Sequence, residues 1–190
     1  IVEHKIKDEF LTKVMAIGQK MMPGDPLDPK TQMGAMVDEN QTKRVMGYID
    51  AGQKEGAKLA MGGKQVHIDN AGSFIEPTVF DNVDNRMKIA QEEIFGPVLS
   101  VIPVKDAEQA LTVANDTIYG LASAIFTADI NKAFKFAKSL RAGSVWVNTY
   151  DGGDITTPFG GYKQSGNGRD KSLHAFDKFT QMKTTWIQLG

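Results

Sequence analysis

Apolar residues recur with the period of a helix near the start of the chain. Phe10, Val14, Ile17 and Met21 lie at i, i+4, i+7 and i+11, with charged residues between them. This spacing predicts an amphipathic helix from Ile6 to Met22 that turns its apolar side toward a core.

A second helix is predicted to begin after Asp38, because an Asp followed three residues later by Gln41 is typical of a helix N-terminus. Beyond that helix, two short apolar stretches flank Gly62-Gly63, which predicts a β-hairpin. The stretch from Phe74 to Phe80 favours a strand, and Pro77 within it indicates either an edge position or a strand end.

A regular alternation of strands and helices begins at residue 98. The predicted strands are 98–104, 121–126 and 144–147, and the two helices between them begin after Asp106 and Asp129. Short loops between alternating strands and helices are typical of right-handed crossovers and a parallel sheet. The predicted fold is therefore α/β, a parallel sheet with flanking helices, and its ligands should gather where the strands end.

The stretch 158–170 follows the third of these strands and has neither helical nor strand periodicity. It contains four glycines, and Phe159 and Tyr162 are too apolar to be left in water without cause. We expect a packed loop beside a site at the carboxyl edge of the sheet. A final strand is predicted from Met182 to Leu189, and its Trp186 makes it a candidate for pairing with another chain.

Composition narrows the class of protein. The 190 residues carry a net charge of -1, are 41% hydrophobic and include no cysteine. The charge balance argues against a nucleic-acid or membrane-surface partner, and the lack of cysteine excludes disulfides, thiolate metal sites and a cysteine nucleophile in these residues. The three histidines are scattered, so no metal site is predicted. A cytoplasmic location fits, and the start at Ile1 suggests that the sequence was cut from something longer.

Two motifs together resemble one enzyme family. Residues 91–98, QEEIFGPV, and residues 158–169, PFGGYKQSGNGR, are similar to segments of the NAD(P)-dependent aldehyde dehydrogenases, in the right order and at a fitting separation. The stretch 161–186 is especially similar to the γ-glutamyl-γ-aminobutyraldehyde dehydrogenases of putrescine breakdown in bacteria. The resemblance covers essentially the whole chain, and it implies that family's catalytic-domain fold.

The resemblance also implies roles for particular residues. Glu93 would hold the hydroxyls of the nicotinamide ribose, since a carboxylate can accept from both hydroxyls of a diol. Phe95 would contact the nicotinamide end of NAD or NADP, and Gln41 and Arg44 would contact the adenosine ribose. Phe159 would form a wall of the aldehyde tunnel. The loop at the mouth of the tunnel would include Asp151, Gly153 and Asp154.

The nucleophilic cysteine, the general-base glutamate and the cofactor domain of the family are expected upstream of Ile1. In the parent enzyme a thiolate would attack the aldehyde, hydride would pass to NAD(P), and activated water would hydrolyse the thioester. The chain is then predicted to be the carboxyl-terminal part of such an enzyme. Residues 1–182 would be a partial catalytic domain and 183–190 a strand of the oligomerisation region, and the isolated chain would be inactive and bind cofactor weakly or not at all.

Other functions stay open at the level of sequence. One is a free-standing nucleotide-binding module that uses the glycine loop, although a phosphate cradle needs its glycines directly between a strand end and a helix start. The other is an assembly piece that acts through the terminal strand. For substrate, we expect a long small-molecule aldehyde with a distal amino or amide group, because glycines leave the predicted mouth open and Asp151 and Asp154 make it negative. The expected assembly is a homodimer or a homotetramer.

Overall fold

The computed structural model of the protein describes residues 1–68 and 71–190. The chain forms two compact units, Ile1–Val113 and Ala114–Gly190. The strands of the described residues are β1 (Val2–Glu3), β2 (Lys58–Met61), β3 (Gln65–Ile68), β4 (Ala71–Ile75), β5 (Thr78–Asp81), β6 (Val98–Ser100), β7 (Pro103–Val104), β8 (Ala122–Ile125) and β9 (Ser144–Val147). The α-helices are α1 (Lys7–Gly18), α2 (Glu39–Lys54), α3 (Lys88–Gln91), α4 (Ala107–Asn115) and α5 (Ile130–Ser139).

Strand β5 is the centre of the first unit. It pairs antiparallel with β2 on one side and parallel with β6 on the other, and all four of its residues are buried. Because neighbouring side chains of a strand point to opposite faces, Val79 and Phe80 enter two different apolar clusters. Pro77 lies just before β5, at a strand end, which was one of the two predicted alternatives. The other alternative, an edge position, does not apply, because β5 has a paired strand on each side.

Helix α2 follows its sequence prediction closely. The Asp38 carboxylate accepts a hydrogen bond from the Gln41 backbone N–H at 2.7 Å and begins the helix. Val45, Tyr48 and Ile49 are buried in the larger of the two clusters. Helix α1, in contrast, is shorter than predicted and ends at Gly18, which packs against Met61 of β2 and Pro77.

The predicted hairpin around Gly62 is wrong. Strand β2 pairs with β5, whereas β3 pairs with β4. Gly63 donates its backbone N–H to the Thr78 hydroxyl at 2.9 Å. Gly62 lies so close to the Pro77 carbonyl that a Cβ would not fit there. The turn is therefore packed on the start of β5, because the interior strand offers more buried apolar contact than a local hairpin partner.

The α/β fold class with parallel strands is confirmed, but the predicted single sheet of three strands is wrong. Strands β8 and β9 pair in parallel from Ala122–Ser144 to Ile125–Val147 in the second unit, with α5 between them in the chain. The predicted strand 98–104 is instead divided: β6 pairs with β5, and β7 pairs with β1. The apolar pattern identified the strand residues but not their partners, because pairing depends on distant parts of the chain.

The carboxyl end of the chain has less regular structure than expected. A 3-10 helix, Leu173–Lys178, begins after Ser172. The predicted strand from Met182 to Leu189 is absent, since a strand needs a hydrogen-bonding partner and residues 181–190 find none within the described chain. Its assembly role, and the division of domains at residue 182, stay predictions. No helix among the described residues is long and apolar enough to span a bilayer.

Candidate functional site

The loop that carries Glu93 and Phe95 lies against α2 in the first unit. The Gln41 amide donates to the backbone carbonyls of Ile94 at 3.2 Å and Phe95 at 3.0 Å. Arg44, one turn further along α2, donates from Nη2 to the Glu93 carbonyl at 3.3 Å. Two side chains of one helix face thus bind three successive carbonyls, so the structure brings all four predicted cofactor residues together.

Further contacts fasten the same loop, which we name the 93–96 loop. The Tyr48 hydroxyl donates to Oε2 of Glu92, the residue just before the loop, at 2.8 Å. Ile94 is buried in the larger apolar cluster. A Cβ on Gly96 would lie 2.6 Å from Val45 Cγ2, so glycine lets the loop pack directly on α2. The sequence did not predict these contacts, although the i, i+3 and i, i+4 spacing of Gln41, Arg44 and Val45 placed them on neighbouring parts of one helix.

The side chains of Glu93 and Phe95 face outward from this fixed backbone. Phe95 adopts a left-handed φ of 56° and is 71% exposed, both uncommon for a large apolar residue. Glu93 is exposed, and its carboxylate has no hydrogen-bond or ionic partner within the described residues. An available carboxylate next to an available aromatic ring fits a ligand with a diol and a planar ring, such as a nicotinamide ribose. The contact of Gln41 and Arg44 with an adenosine ribose stays a prediction, since here they hold the loop.

The glycine-rich stretch 158–170 in the second unit, which we name the 158–170 loop, is fastened by its own side chains. Lys163 Nζ donates to the carbonyls of Asn115 and Thr117, each at 2.9 Å, at the carboxyl end of α4. An ammonium at this end of a helix satisfies carbonyls that lack an intrahelical partner and complements the helix dipole. Lys163 itself has a φ of 53°. Nothing in the local sequence pattern predicted this anchor.

Two more polar side chains of the 158–170 loop are bound inward. The Ser165 hydroxyl accepts from the Gly120 backbone N–H at 3.0 Å. Arg169 Nη1 donates to the Gly161 carbonyl at 3.0 Å, and its guanidinium lies 5.3 Å from the centre of the Tyr162 ring. The polar residues of this motif therefore serve mainly to hold the loop in shape.

The glycines of this loop allow close backbone contact. The Gly160 carbonyl lies against Gly143, at the start of β9, at a distance that leaves no room for a Cβ on Gly143. The loop continues into a 3-10 helix of three residues, Lys163–Ser165, and no α-helix begins in it among the residues that the structure describes. A phosphate cradle needs a helix N-terminus at this point, so the geometry does not favour the nucleotide-binding alternative.

Phe159 is held at the start of the loop by backbone pairing. Its N–H donates to the Asp170 carbonyl at 2.8 Å, and the Asp170 N–H donates back to the Phe159 carbonyl at 2.7 Å. The next residue, Lys171, places its ammonium 5.8 Å from the centre of the Phe159 ring. The predicted tunnel wall is thus half-buried and fixed, with a cation beside it.

The three other predicted tunnel residues lie in the exposed loop 151–154. Asp151 and Gly153 have positive φ values of 57° and 155°. Asp154 accepts from the Thr156 hydroxyl at 2.6 Å and from the Thr156 backbone N–H at 2.7 Å. These hydrogen bonds, followed by weaker effects that include the charge of Lys171, hold the pKa of Asp154 below its usual value. The described residues contain no group of three side chains suited to hold a metal ion.

Comparison with known proteins identifies the family that has this fold and these two loops. The model of the aldehyde dehydrogenase family matches residues 1–185. The chain belongs to the aldehyde dehydrogenase family. Its parallel strands, helices and two motif loops are thus those of an aldehyde dehydrogenase, as the sequence predicted.

Three relatives illustrate the similarity. The chain is 48% identical over its whole length to the NADP/NAD-dependent aldehyde dehydrogenase PuuC of Escherichia coli, of which it covers 37%. The structure of the P. syringae indole-3-acetaldehyde dehydrogenase AldA, in complex with NAD+ and IAA, matches 99% of the chain with a TM-score of 0.95 and 59% identity. The γ-glutamyl-γ-aminobutyraldehyde dehydrogenase of Burkholderia cenocepacia matches 97% with a TM-score of 0.92 and 53% identity. The chain spans 38% and 37% of those two structures, respectively. Its placement in the carboxyl-terminal part of such an enzyme stays a prediction.

Proposed function

We propose that the chain is the carboxyl-terminal part of an enzyme that oxidises an aldehyde to a carboxylic acid with NAD(P). The observation that carries this proposal is the family match over residues 1–185, joined to a 93–96 loop that offers an available carboxylate and an exposed ring. NAD(P) supplies the hydride acceptor when bound. The part of this chain is to orient the cofactor through Glu93 and Phe95 and to shape the aldehyde tunnel through Phe159, Asp151, Gly153 and Asp154.

A segment exchange with the E. coli relative tests the proposal. In the chimera, these 190 residues replace the matching segment of PuuC, which is 48% identical. We expect the chimera to reduce NAD or NADP when an aldehyde is added. The isolated chain should show no turnover, because the 190 residues include no cysteine to form a covalent intermediate. A folded chimera that oxidises no aldehyde, or an isolated chain with robust turnover, would contradict the proposal.

Substitution of Glu93 tests its cofactor role in the same chimera. Glu93→Gln removes the charge that accepts from the ribose hydroxyls, and a charged hydrogen bond is worth about 1.5–3 kcal/mol, so KM for the cofactor should rise about tenfold or more. Asp50→Asn, an exposed residue of α2, is the matched control and should leave KM unchanged. An equal KM for both variants would remove Glu93 from the cofactor site.

For the substrate, we propose a long aldehyde with a distal amino or amide group, of the kind formed in polyamine breakdown. Support comes from the negative 151–154 loop and from the relative described as a γ-glutamyl-γ-aminobutyraldehyde dehydrogenase. Gly153 is unsuited to a blocking substitution, because its φ of 155° would strain any larger residue. A Cβ at Gly152 would meet its nearest neighbours, in Thr149, at an ordinary contact distance of 3.9 Å, so Gly152→Phe can be accommodated and should lower kcat/KM for long aldehydes more than for propanal. Gly152→Ala is the control, and equal effects on both aldehydes would contradict the tunnel assignment.

We also propose that residues 183–190 pair with a second copy of the chain in a dimer or tetramer. Trp186 and Leu189 support this, since they are 91% and 87% exposed in the single chain. Deletion of residues 183–190 should lower the sedimentation coefficient of the protein, because a smaller oligomer sediments more slowly. An unchanged oligomer would exclude this segment from assembly.

A further inference from the structure

Lys171 differs from the other cations around the 158–170 loop. Lys163 and Arg169 are bound to backbone carbonyls of the second unit, and Lys178 is paired with the Asp170 carboxylate. The Lys171 ammonium makes no hydrogen bond or ion pair with any residue that the structure describes, and it lies over the ring of Phe159. Its three N–H donors are therefore available to a ligand.

The backbone holds Lys171 in place at a conformational cost. Lys171 and Ser172 have left-handed φ values of 58° and 52° in succession, although neither is a glycine. Backbone hydrogen bonds fix both sides of this segment: Asp170 pairs with Phe159, and the Ser172 N–H donates to the Ile155 carbonyl at 2.7 Å. Strained positions that the surroundings over-determine are found chiefly at functional sites.

Asp154, the acidic group that interacts with Lys171, uses one carboxylate oxygen, Oδ1, to bind Thr156. Its carboxylate accepts two hydrogen bonds from Thr156, and the Lys171 charge acts on it only as a weaker, through-space effect. The two charges therefore lie near one another without neutralising each other in a direct ion pair. The Lys171 ammonium therefore lies beside Phe159, and the Asp154 carboxylate lies close enough to interact with the charge of Lys171.

On the basis of the proposed function, we propose that Lys171 is a specificity-determining residue that binds a carboxylate at the far end of the aldehyde substrate. Phe159, as the tunnel wall, would contact the apolar chain of the substrate, and the neighbouring ammonium would receive its anionic end. An ammonium-carboxylate contact is a charge-assisted hydrogen bond, which an alkanal of the same length cannot make. Asp154 can accept from an ammonium on the same substrate, so an amido-aldehyde that ends in an amino-acid group fits both charges.

Kinetics of the PuuC chimera test this role. The substrates are an unbranched aldehyde with a terminal carboxylate and the alkanal of equal chain length. Lys171→Met keeps most of the apolar stem and removes the charge, whereas Lys171→Arg keeps the charge. For Lys171→Met we expect the ratio of kcat/KM between the acid aldehyde and the alkanal to fall about tenfold, mainly through KM, which is the size of one lost charged hydrogen bond. Lys171→Arg should recover most of the ratio.

Lys138→Met is the control for loss of a lysine, because Lys138 is exposed on α5 in the same unit. It should leave the ratio unchanged. An equal loss for both aldehydes in Lys171→Met would overturn the inference, since a merely structural role lowers both alike. A chimera that oxidises neither aldehyde before any substitution would instead overturn the proposed function.

Discussion

The side chains that hold the 93–96 loop come from another element, whereas those that hold the 158–170 loop come from the loop itself. In the first unit, Gln41 and Arg44 of α2 bind the loop carbonyls. In the second unit, Lys163 and Arg169 of the loop bind carbonyls of their own unit. The only polar side chain of the 93–96 loop, that of Glu93, therefore remains available, whereas Lys163, Ser165 and Arg169 of the 158–170 loop form hydrogen bonds that hold their own loop.

This difference separates anchoring residues from candidate binding residues. Glu93 in the first loop and Lys171, just after the second, each carry a charged group that makes no hydrogen bond or ion pair with the described chain. Phe95, two residues after Glu93, has a left-handed φ of 56°, and the ring of Phe159 lies beside the Lys171 ammonium. The sequence motifs contain anchoring residues and candidate binding residues alike. Only the contacts in the structure distinguish the two, so a motif residue can be given a chemical role only after it has been located there.

The largest effect is expected when the anchor of the 158–170 loop is removed. Lys163→Met leaves the carbonyls of Asn115 and Thr117 without their charged donor, so the free energy of unfolding should fall by about 2–3 kcal/mol. Trp146 and Trp186 both lie in the second unit, so tryptophan fluorescence during urea unfolding reports on that unit alone. Lys138→Met, which removes an exposed lysine, should change stability by less than about 0.5 kcal/mol. Similar losses in both variants would mean that Lys163 is not an anchor.

A smaller effect is expected when the anchor of the 93–96 loop is removed. Gln41→Met keeps the size of the side chain but removes two hydrogen bonds to the loop, which should cost about 1–2 kcal/mol of local stability. Faster hydrogen exchange of the backbone amides at residues 92–96 would measure it. Gln53→Met, at an exposed position of the same helix, is the control. The anchor assignment would be lost if exchange in the loop were the same in both variants.

Little effect on stability is expected for Glu93→Gln, even though it should raise KM for the cofactor. The Glu93 carboxylate has no partner in the described chain, so the free energy of unfolding should change by less than about 0.5 kcal/mol. Hydrogen exchange of the Val45 and Ile49 amides, in the core of the first unit, measures this. A clear loss of protection there would make Glu93 an anchoring residue and remove the contrast with Gln41.

The smallest effect is expected at the exposed 151–154 loop. The pKa of Asp154 is held below its ordinary value of 3.8 chiefly by the Thr156 hydroxyl, so Thr156→Ala should raise this pKa, and Thr156→Ser should restore it. Because the folded-state pKa is lowered, the turn is stabilised above pH 3.8 and loses that stabilisation as the pH falls through the lowered value. NMR titration of the Asp154 carboxyl carbon measures the shift. An unchanged midpoint in Thr156→Ala would assign the effect to the backbone N–H instead.

The sequence predicts the structure correctly where the determinants are local. The start of α2 at Asp38 follows from a side chain and an N–H three residues apart, and the strands β8 and β9 follow from short apolar runs. The sequence does not predict a strand partner or a hydrogen-bond acceptor that lies far away in the chain. Strand β2 pairs with β5 and not with β3 as the sequence predicts, and Lys163 donates to carbonyls 46 and 48 residues away in the chain. No periodicity within a segment encodes such a partner.

The sequence by itself determined the α/β class, the family through its two motif loops, and the identity of the residues to consider at a site. The tertiary structure alone decided which of them are used up in holding the backbone and which face outward. The physical reason is that hydrogen-bonding groups must be satisfied wherever the chain is packed, and the groups that satisfy them come from parts of the chain that only folding brings together. Gln41 and Lys163 satisfy backbone carbonyls in this way. The charged groups of Glu93 and Lys171 have no hydrogen-bond partner in the described chain and are available to a ligand.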